Sequence, residues 1–217
     1  MLDFKLKDIK PLVDASDYWR ENGETTELYL TATRGKVAFS VTYDEDNHYA
    51  YLRTISNLDN APNTEEPVCY VEWPSGKHTL RFPDTWQDNA PYEGRPYELY
   101  KWDCYTLVQD YMKREHNVNM ESFKDDISKI KDNFSENSFV INNEMKNWDP
   151  VTIPQAGDGI LFAVENEYTG TRNANHCGIY MGNNMMLHQF YNRVSCIEEM
   201  TPQWKNWVVA YMRFKNV

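Results

Sequence analysis

The chain has few of the features that usually betray a function. No apolar run approaches 18 residues, which excludes a transmembrane helix. The opening Met-Leu-Asp-Phe-Lys-Leu-Lys-Asp has no apolar core of the kind a signal peptide needs, so synthesis in the cytoplasm is expected, with any exit by another route. Positive charge is in deficit: 22 Lys and Arg stand against 33 Asp and Glu, a net charge of -11. That disfavours non-specific nucleic-acid binding and adsorption to anionic membranes, and the acidity is read as a solubility feature. Only four cysteines occur, at 69, 104, 177 and 196, with no C-x-x-C among them. A disulfide framework or zinc ribbon is therefore not expected. No His-x-His pair occurs, and there is no internal repeat or low-complexity tract.

What the chain does have is aromatics, 7 Trp, 15 Tyr and 9 Phe in 217 residues, enough to build a packed core. Residues 1–88 read as a β-rich unit behind a short helix lined by Ile9, Leu12, Val13 and Trp19. Candidate strands follow at 27–33, 36–43, 49–55, 68–73 and 78–82, with Arg34-Gly35 and Ser75-Gly76 as hairpin tips. His48 and His78 are expected to be solvated. Residues 83–96, rich in Pro, Gly and Asx, mark a boundary, so 89–217 form a second domain.

That second domain is organised around Tyr100-Lys-Trp-Asp-Cys104-Tyr-Thr-Leu-Val-Gln-Asp-Tyr-Met112. Leu107, Val108, Tyr111 and Met112 form a helical stripe counted from Cys104, and Asp103 is a good N-cap. Cys104 then sits in the first turn, where free N–H groups and the helix dipole favour a thiolate. On this stretch alone, a small buried core residue is an equally good reading of Cys104. A second amphipathic helix is expected over 121–135, with Phe123, Ile127, Ile130 and Phe134 inward, and residues 137–154 are expected to be irregular. Strands are expected at 160–164, 176–181, 185–190 and 207–214, and Asp158 is expected to be a turn residue.

His176 and His188 lie in one hairpin of this domain. A three-residue loop at 182–184, or a bulge, sets Gly178 opposite His188 and leaves both imidazoles on one face. A two-residue Asn183-Asn184 turn without a bulge puts them on opposite faces. In the first case Cys104, His176 and His188 make a nucleophile, a base and an orienting group. Cys177 is expected on the face opposite His176, turned into the core. Cys69 and Cys196 sit in apolar strand contexts, and a metal site built from the cysteines and histidines is disfavoured by their spacing.

Asp103-Cys104-x-x-Leu107-Val108, Pro154-x-x-Gly157-Asp158, His176-x-Gly178-Ile179-Tyr180-x-Gly182 and Met186-Leu187-His188 together resemble the NlpC family of papain-like cysteine peptidases. The resemblance covers about 92–217. It implies an α+β, papain-like domain in which a nucleophile helix packs on an antiparallel sheet. It assigns the nucleophile to Cys104, the base to His176 and the third polar residue to His188, with no cofactor and no metal. Gly94-Arg-Pro-Tyr97 is similar to the start of the family's Gly-x-x-Tyr-x-x-Gly-Gly segment, which implies that Tyr97 lies near the oxyanion; the two following glycines are missing here. Asp-Cys-Tyr-Thr replaces the usual Asp-Cys-Ser-Gly, a departure similar to the subgroup found in tailed-phage tail-assembly and tail-tip proteins. The implied activity is endopeptidase cleavage of bacterial peptidoglycan stem peptides. The implied partners are those peptides and other tail-tip or hub proteins, and the implied location is the virion tail, acting at the cell envelope. Two rival readings share the fold: a catalytically silent structural tail protein, and a secreted antibacterial amidase or peptidase effector. Residues 1–88 resemble, faintly, a JAB-like domain at 54–63, but without that domain's His-x-His metal ligands.

Overall fold

The computed structural model describes residues 10, 13, 14, 28–40, 43–46, 48–122, 145–164 and 174–215. The expected helix over 121–135 lies outside them apart from its first two positions, as does most of the expected N-terminal helix. The chain forms a mixed fold of two sheets and few helices. It divides into two compact units, residues 1–95 with 192–194, and residues 96–191 with 195–217.

The first unit holds a five-stranded sheet of β1 (Leu28–Thr33), β2 (Lys36–Ser40), β3 (His48–Ile55), β4 (Val68–Glu72) and β5 (His78–Arg81). Their order is β2-β1-β3-β4-β5, antiparallel except for the parallel β3–β4 pair. Arg34 and Gly35 both have positive φ (50° and 71°), the conformation of a two-residue hairpin turn between Thr33 and Lys36. Alternation buries Leu28, Leu30 and Leu52 with Ala50, Cys69, Val71 and Val13. His48 is half-buried, where full solvation was expected. Its ring sits among Tyr43 at 4.9 Å, Tyr51 at 4.5 Å and Tyr29 at 5.8 Å, because β3 places it beside β1. A short helix, α1 (Trp86–Asn89), follows the sheet.

The second unit is built on α2 (Cys104–His116) and a six-stranded antiparallel sheet. Its strands are β6 (Trp148–Val151), β7 (Gly159–Phe162), β8 (His176–Gly182), β9 (Met185–His188), β10 (Cys196–Glu199) and β11 (Val208–Phe214), in the order β10-β9-β8-β7-β11-β6. Helix α2 buries Leu107, Val108 and Met112 and packs on β8 and β9. Complete burial of one such side chain stabilises by about 1.5–3 kcal/mol. The helix stops where Asn117 turns left-handed (φ 55°) and Val118 N–H bonds back to the Met112 carbonyl at 3.0 Å. A last short helix, α3 (Pro202–Trp207), precedes β11.

Strands β6 and β10 and helix α3 escaped the sequence reading. The stretch 137–154, expected to be irregular, carries β6; its Pro150 is tolerated because β6 is an edge strand, where a missing N–H costs no ladder bond. Asp158 is a turn residue with a structural task. Burial pushes its carboxyl up, but Arg213, bonded to both oxygens at 2.8 Å, and the Gln155 N–H at 2.7 Å outweigh burial and hold it below the usual carboxylate range. A depressed carboxyl adds stability above its unfolded pKa, near 4, and loses that contribution as the pH falls through its folded value. Asp158→Asn should therefore lower the urea midpoint at neutral pH, and the gap to wild type should narrow progressively as the pH falls below about 4. An equal gap at neutral and at acid pH would contradict this account.

Candidate active site

Cys104 is the first residue of α2, and the sequence fixes it there through a reciprocal cap. Asp103 Oδ1 accepts the Thr106 N–H at 2.9 Å, and Thr106 Oγ1 accepts the Asp103 N–H at 2.8 Å. Asp103 Oδ2 also takes the Tyr100 N–H at 2.7 Å, which ties down the loop before the helix. That loop is closed by paired backbone bonds between Glu98 and Trp102, at 2.9 and 2.7 Å, with Tyr100 left-handed at φ 65°. Thr106 is thus half of the cap. Tyr105 faces outward, where its hydroxyl and the Gln109 amide both donate to the Glu121 carbonyl at 2.8 Å.

The hairpin β8–β9 brings the two histidines together. Asn183 and Asn184 make a two-residue turn with positive φ (49° and 65°), and a bulge between Tyr180 and Gly182 absorbs Met181. The bulge restores the register in which Gly178 faces His188. A Cβ on Gly178 would stand 2.8 Å from the Leu187 carbonyl and 3.1 Å from the His188 Cβ, so this close approach requires glycine.

A hydrogen-bonded row results. Cys104 heads the row, its thiol pKa lowered by Cys177 and His176. His176 Nε2 lies 3.0 Å from His188 Nδ1, and His188 Nε2 lies 2.9 Å from Glu198 Oε1. Trp204 Nε1 donates to the same Glu198 oxygen at 3.2 Å. His176, His188 and Glu198 are 6%, 1% and 6% exposed, so the row is shut away from water beyond Cys104. Rings hold it in place: Phe162 and Phe190 lie 5.4 Å from His176, and Trp204 lies 4.8 Å from His188.

The Cys104 thiol is held well below its usual pKa. The hydrogen bond from Cys177 is the largest cause, burial opposes it, and the hydrogen bond and charge of His176 add to it. Cys177 is pushed up by the same contact. The asymmetry has a physical source, since only Cys104 has both an imidazole and a helix N-terminus beside it. Cys177 corrects an expectation: it is half-buried against Cys104 and not turned into the core. Strand alternation chose its face, and α2 packs on β8. Tyr97 is half-buried, edge-on to Tyr191 at 5.3 Å, and burial with the nearby Cys104 charge raises its hydroxyl pKa, so the hydroxyl keeps its proton.

Glu198 and Trp204 were missed. A signal for each was present: Thr201-Pro202 is an N-cap followed by proline at the first helical position, and Glu198 is an acidic residue at an inward-facing position of a short strand. Among the described residues, His188, Cys196 and Glu198 could hold a metal ion, their donor atoms lying within 4.8 Å of one another. The set would suit zinc, but His188 Nε2 and Glu198 are already bonded to each other, and an ion would displace that bond.

Residues 86–213, more than half of the chain, match the NlpC/P60 family model. The chain belongs to the NlpC/P60 family. Members of that family are generally cysteine peptidases. The chain is 27% identical over 170 residues to the tail tip assembly protein K of Escherichia phage N15, a match covering 75% of this chain and 65% of the phage protein. The match thus spans just under two thirds of that relative's length. Two solved NlpC/P60 structures are similar, each at a TM-score of 0.40. One, described as similar to a lipoprotein, is from Staphylococcus aureus, 18% identical, and covers 57% of this chain and 37% of its own. The other is from Bacillus cereus, 16% identical, and covers 87% and 60%.

The thiols differ enough to be told apart chemically. Cys69 is buried and its thiol is pushed up to about 12 by that burial, and Cys196 is buried as well. At neutral pH iodoacetamide should alkylate Cys104 first, and His176→Ala should slow that step about tenfold or more. Equal labelling of Cys104 and Cys69 would contradict an activated thiolate.

Proposed function

We propose that the protein is a thiol endopeptidase that hydrolyses peptide bonds in bacterial peptidoglycan stem peptides, as a tail-tip or tail-assembly component of a tailed phage. The observation that carries the reading is the unbroken row from a low-pKa thiol at a helix N-terminus, through two histidines, to a buried carboxylate. Family membership supports the reaction class, and the resemblance to a phage tail tip assembly protein supports the setting and the tail partners.

In this reading Cys104 attacks the scissile carbonyl carbon and His176 protonates the departing amine. His188 keeps the His176 ring oriented, and Glu198 does the same for His188. The oxyanion is met by the Cys104 backbone N–H and the protonated Tyr97 hydroxyl, each good donor worth roughly 3 kcal/mol. Water, deprotonated by His176, then releases the acyl group from sulfur. Residues 1–88 serve as a metal-free structural module.

Incubation of the purified protein with peptidoglycan should release stem-peptide fragments detectable by mass spectrometry. Cys104→Ala should abolish release while leaving the melting temperature within a few degrees of wild type. The rate should follow a bell-shaped pH profile whose acid limb, the loss of the thiolate, lies below the ordinary thiol range near 8.5. Fragment release that survives Cys104→Ala would overturn the assignment. No release from wild type, with tails that fail to assemble when the protein is absent, would favour a structural role on the same fold.

A further inference from the structure

The register of β10 on β9 gathers three metal-ligating side chains that the proposed reaction uses only in part. Cys196 pairs directly with His188, and Glu198, two residues further along β10, shares the face of Cys196. One donor atom of each lies within 4.8 Å of the other two, and His188 Nε2 is 2.9 Å from Glu198 Oε1. A tetrahedral zinc ion with ordinary bond lengths holds such donors roughly 3.3–3.6 Å apart, so shifts of about 1 Å close the set on an ion. Strand β10 lies at the edge of its sheet, joined to it by β9 alone, which lets it make such a shift.

Charge and donor type also match. All three side chains are buried, where a charge has to be paired or metal-bound. A thiolate and a carboxylate together neutralise a zinc dication, and an imidazole joins them. The Trp204 indole N–H already steadies the same Glu198 oxygen at 3.2 Å, and that oxygen has a second lone pair. We propose that His188, Cys196 and Glu198 form a zinc site that switches the catalytic row off when it fills. The inhibition rests on the peptidase reading; the zinc site does not.

The protons account for the switch. Zinc takes the place of the proton on His188 Nε2, and Cys196 gives up its thiol proton on binding. A neutral imidazole bound through Nε2 carries its proton on Nδ1. The proton in the 3.0 Å bond between the rings therefore moves from His176 Nε2 to His188 Nδ1. His176 is left accepting at Nε2 and takes up a proton on Nδ1. With Nδ1 filled, His176 cannot take a proton from the water that frees the acyl group. In total, each zinc ion bound sends one proton to solvent.

The test strips the full chain with a chelator. It then titrates the chain with Zn²⁺ against a chromophoric chelator, and with Co²⁺ as a spectroscopic probe. Co²⁺ should give a thiolate-to-cobalt charge-transfer band. Cys196→Ala should remove that band and weaken Zn²⁺ binding about tenfold or more, and Cys104→Ala should leave both unchanged. In the wild type, nitrogen NMR with Zn²⁺ should show His188 protonated on Nδ1 with its Nε2 signal shifted by the metal, a readout that decides even if a variant does not fold. No binding, binding that survives Cys196→Ala, or binding lost in Cys104→Ala overturns the site. Peptide release at the full rate with zinc bound overturns the switch. Zinc binding through Cys196 in a protein that is inert toward peptidoglycan without metal would keep the site and remove the peptidase reading.

Discussion

Glu198 Oε1 receives two neighbours, His188 Nε2 at 2.9 Å and the Trp204 indole N–H at 3.2 Å, in a place that water barely reaches. A carboxylate buried there is costly unless hydrogen-bonded, and these contacts meet that requirement. An indole N–H only donates, so this oxygen is an acceptor. As a carboxylate it places the His188 proton on Nε2 and leaves Nδ1 as a bare acceptor. That acceptor takes the Nε2–H of His176 at 3.0 Å, which leaves the other nitrogen of His176 bare, the state the proposed reaction needs in its base. One acceptor at the end of the row thus sets the proton on each ring in turn.

The row depends equally on backbone geometry. A hairpin with the tight Asn183-Asn184 turn and no bulge would send His188 to the opposite face of the sheet. The extra residue at Met181 and the absence of a side chain at Gly178 are what let the rings meet. The cap that binds Asp103 to Thr106 does the same for Cys104, holding the thiol at the positive end of α2. Both devices are local and sit in the sequence within a few residues of the groups they aim.

Much of this was legible from residue patterns because it rests on local rules. Five strands of the first unit follow from β-branched and aromatic runs between turn residues, and helix α2 follows from its apolar stripe and the Asp103 cap. Its end at Asn117 lies where basic residues complement the dipole. The bulge alternative for the hairpin was readable, since only it reconciles a two-residue turn with cooperating histidines. Long-range placement was less legible. Strand β10 is four residues long, so its pairing of Cys196 with His188, and the delivery of Glu198 behind the ring, has no periodic signature. Strand β6 lay in a stretch read as irregular, since four residues containing a proline have no strand periodicity and a sequence does not say which strand lies at an edge. Cys177 was misread because alternation gives a face and not the group that covers it.

The central claim is that Glu198 fixes the protons of both histidines. Nitrogen NMR of the histidine-labelled full chain at neutral pH tests it most directly. The account predicts that His188 has its proton on Nε2 and a bare Nδ1 in the wild type, and that this pattern is lost in Glu198→Ala. A His188 protonated on Nδ1 with Nε2 bare, or a pattern indifferent to Glu198→Ala, would contradict it.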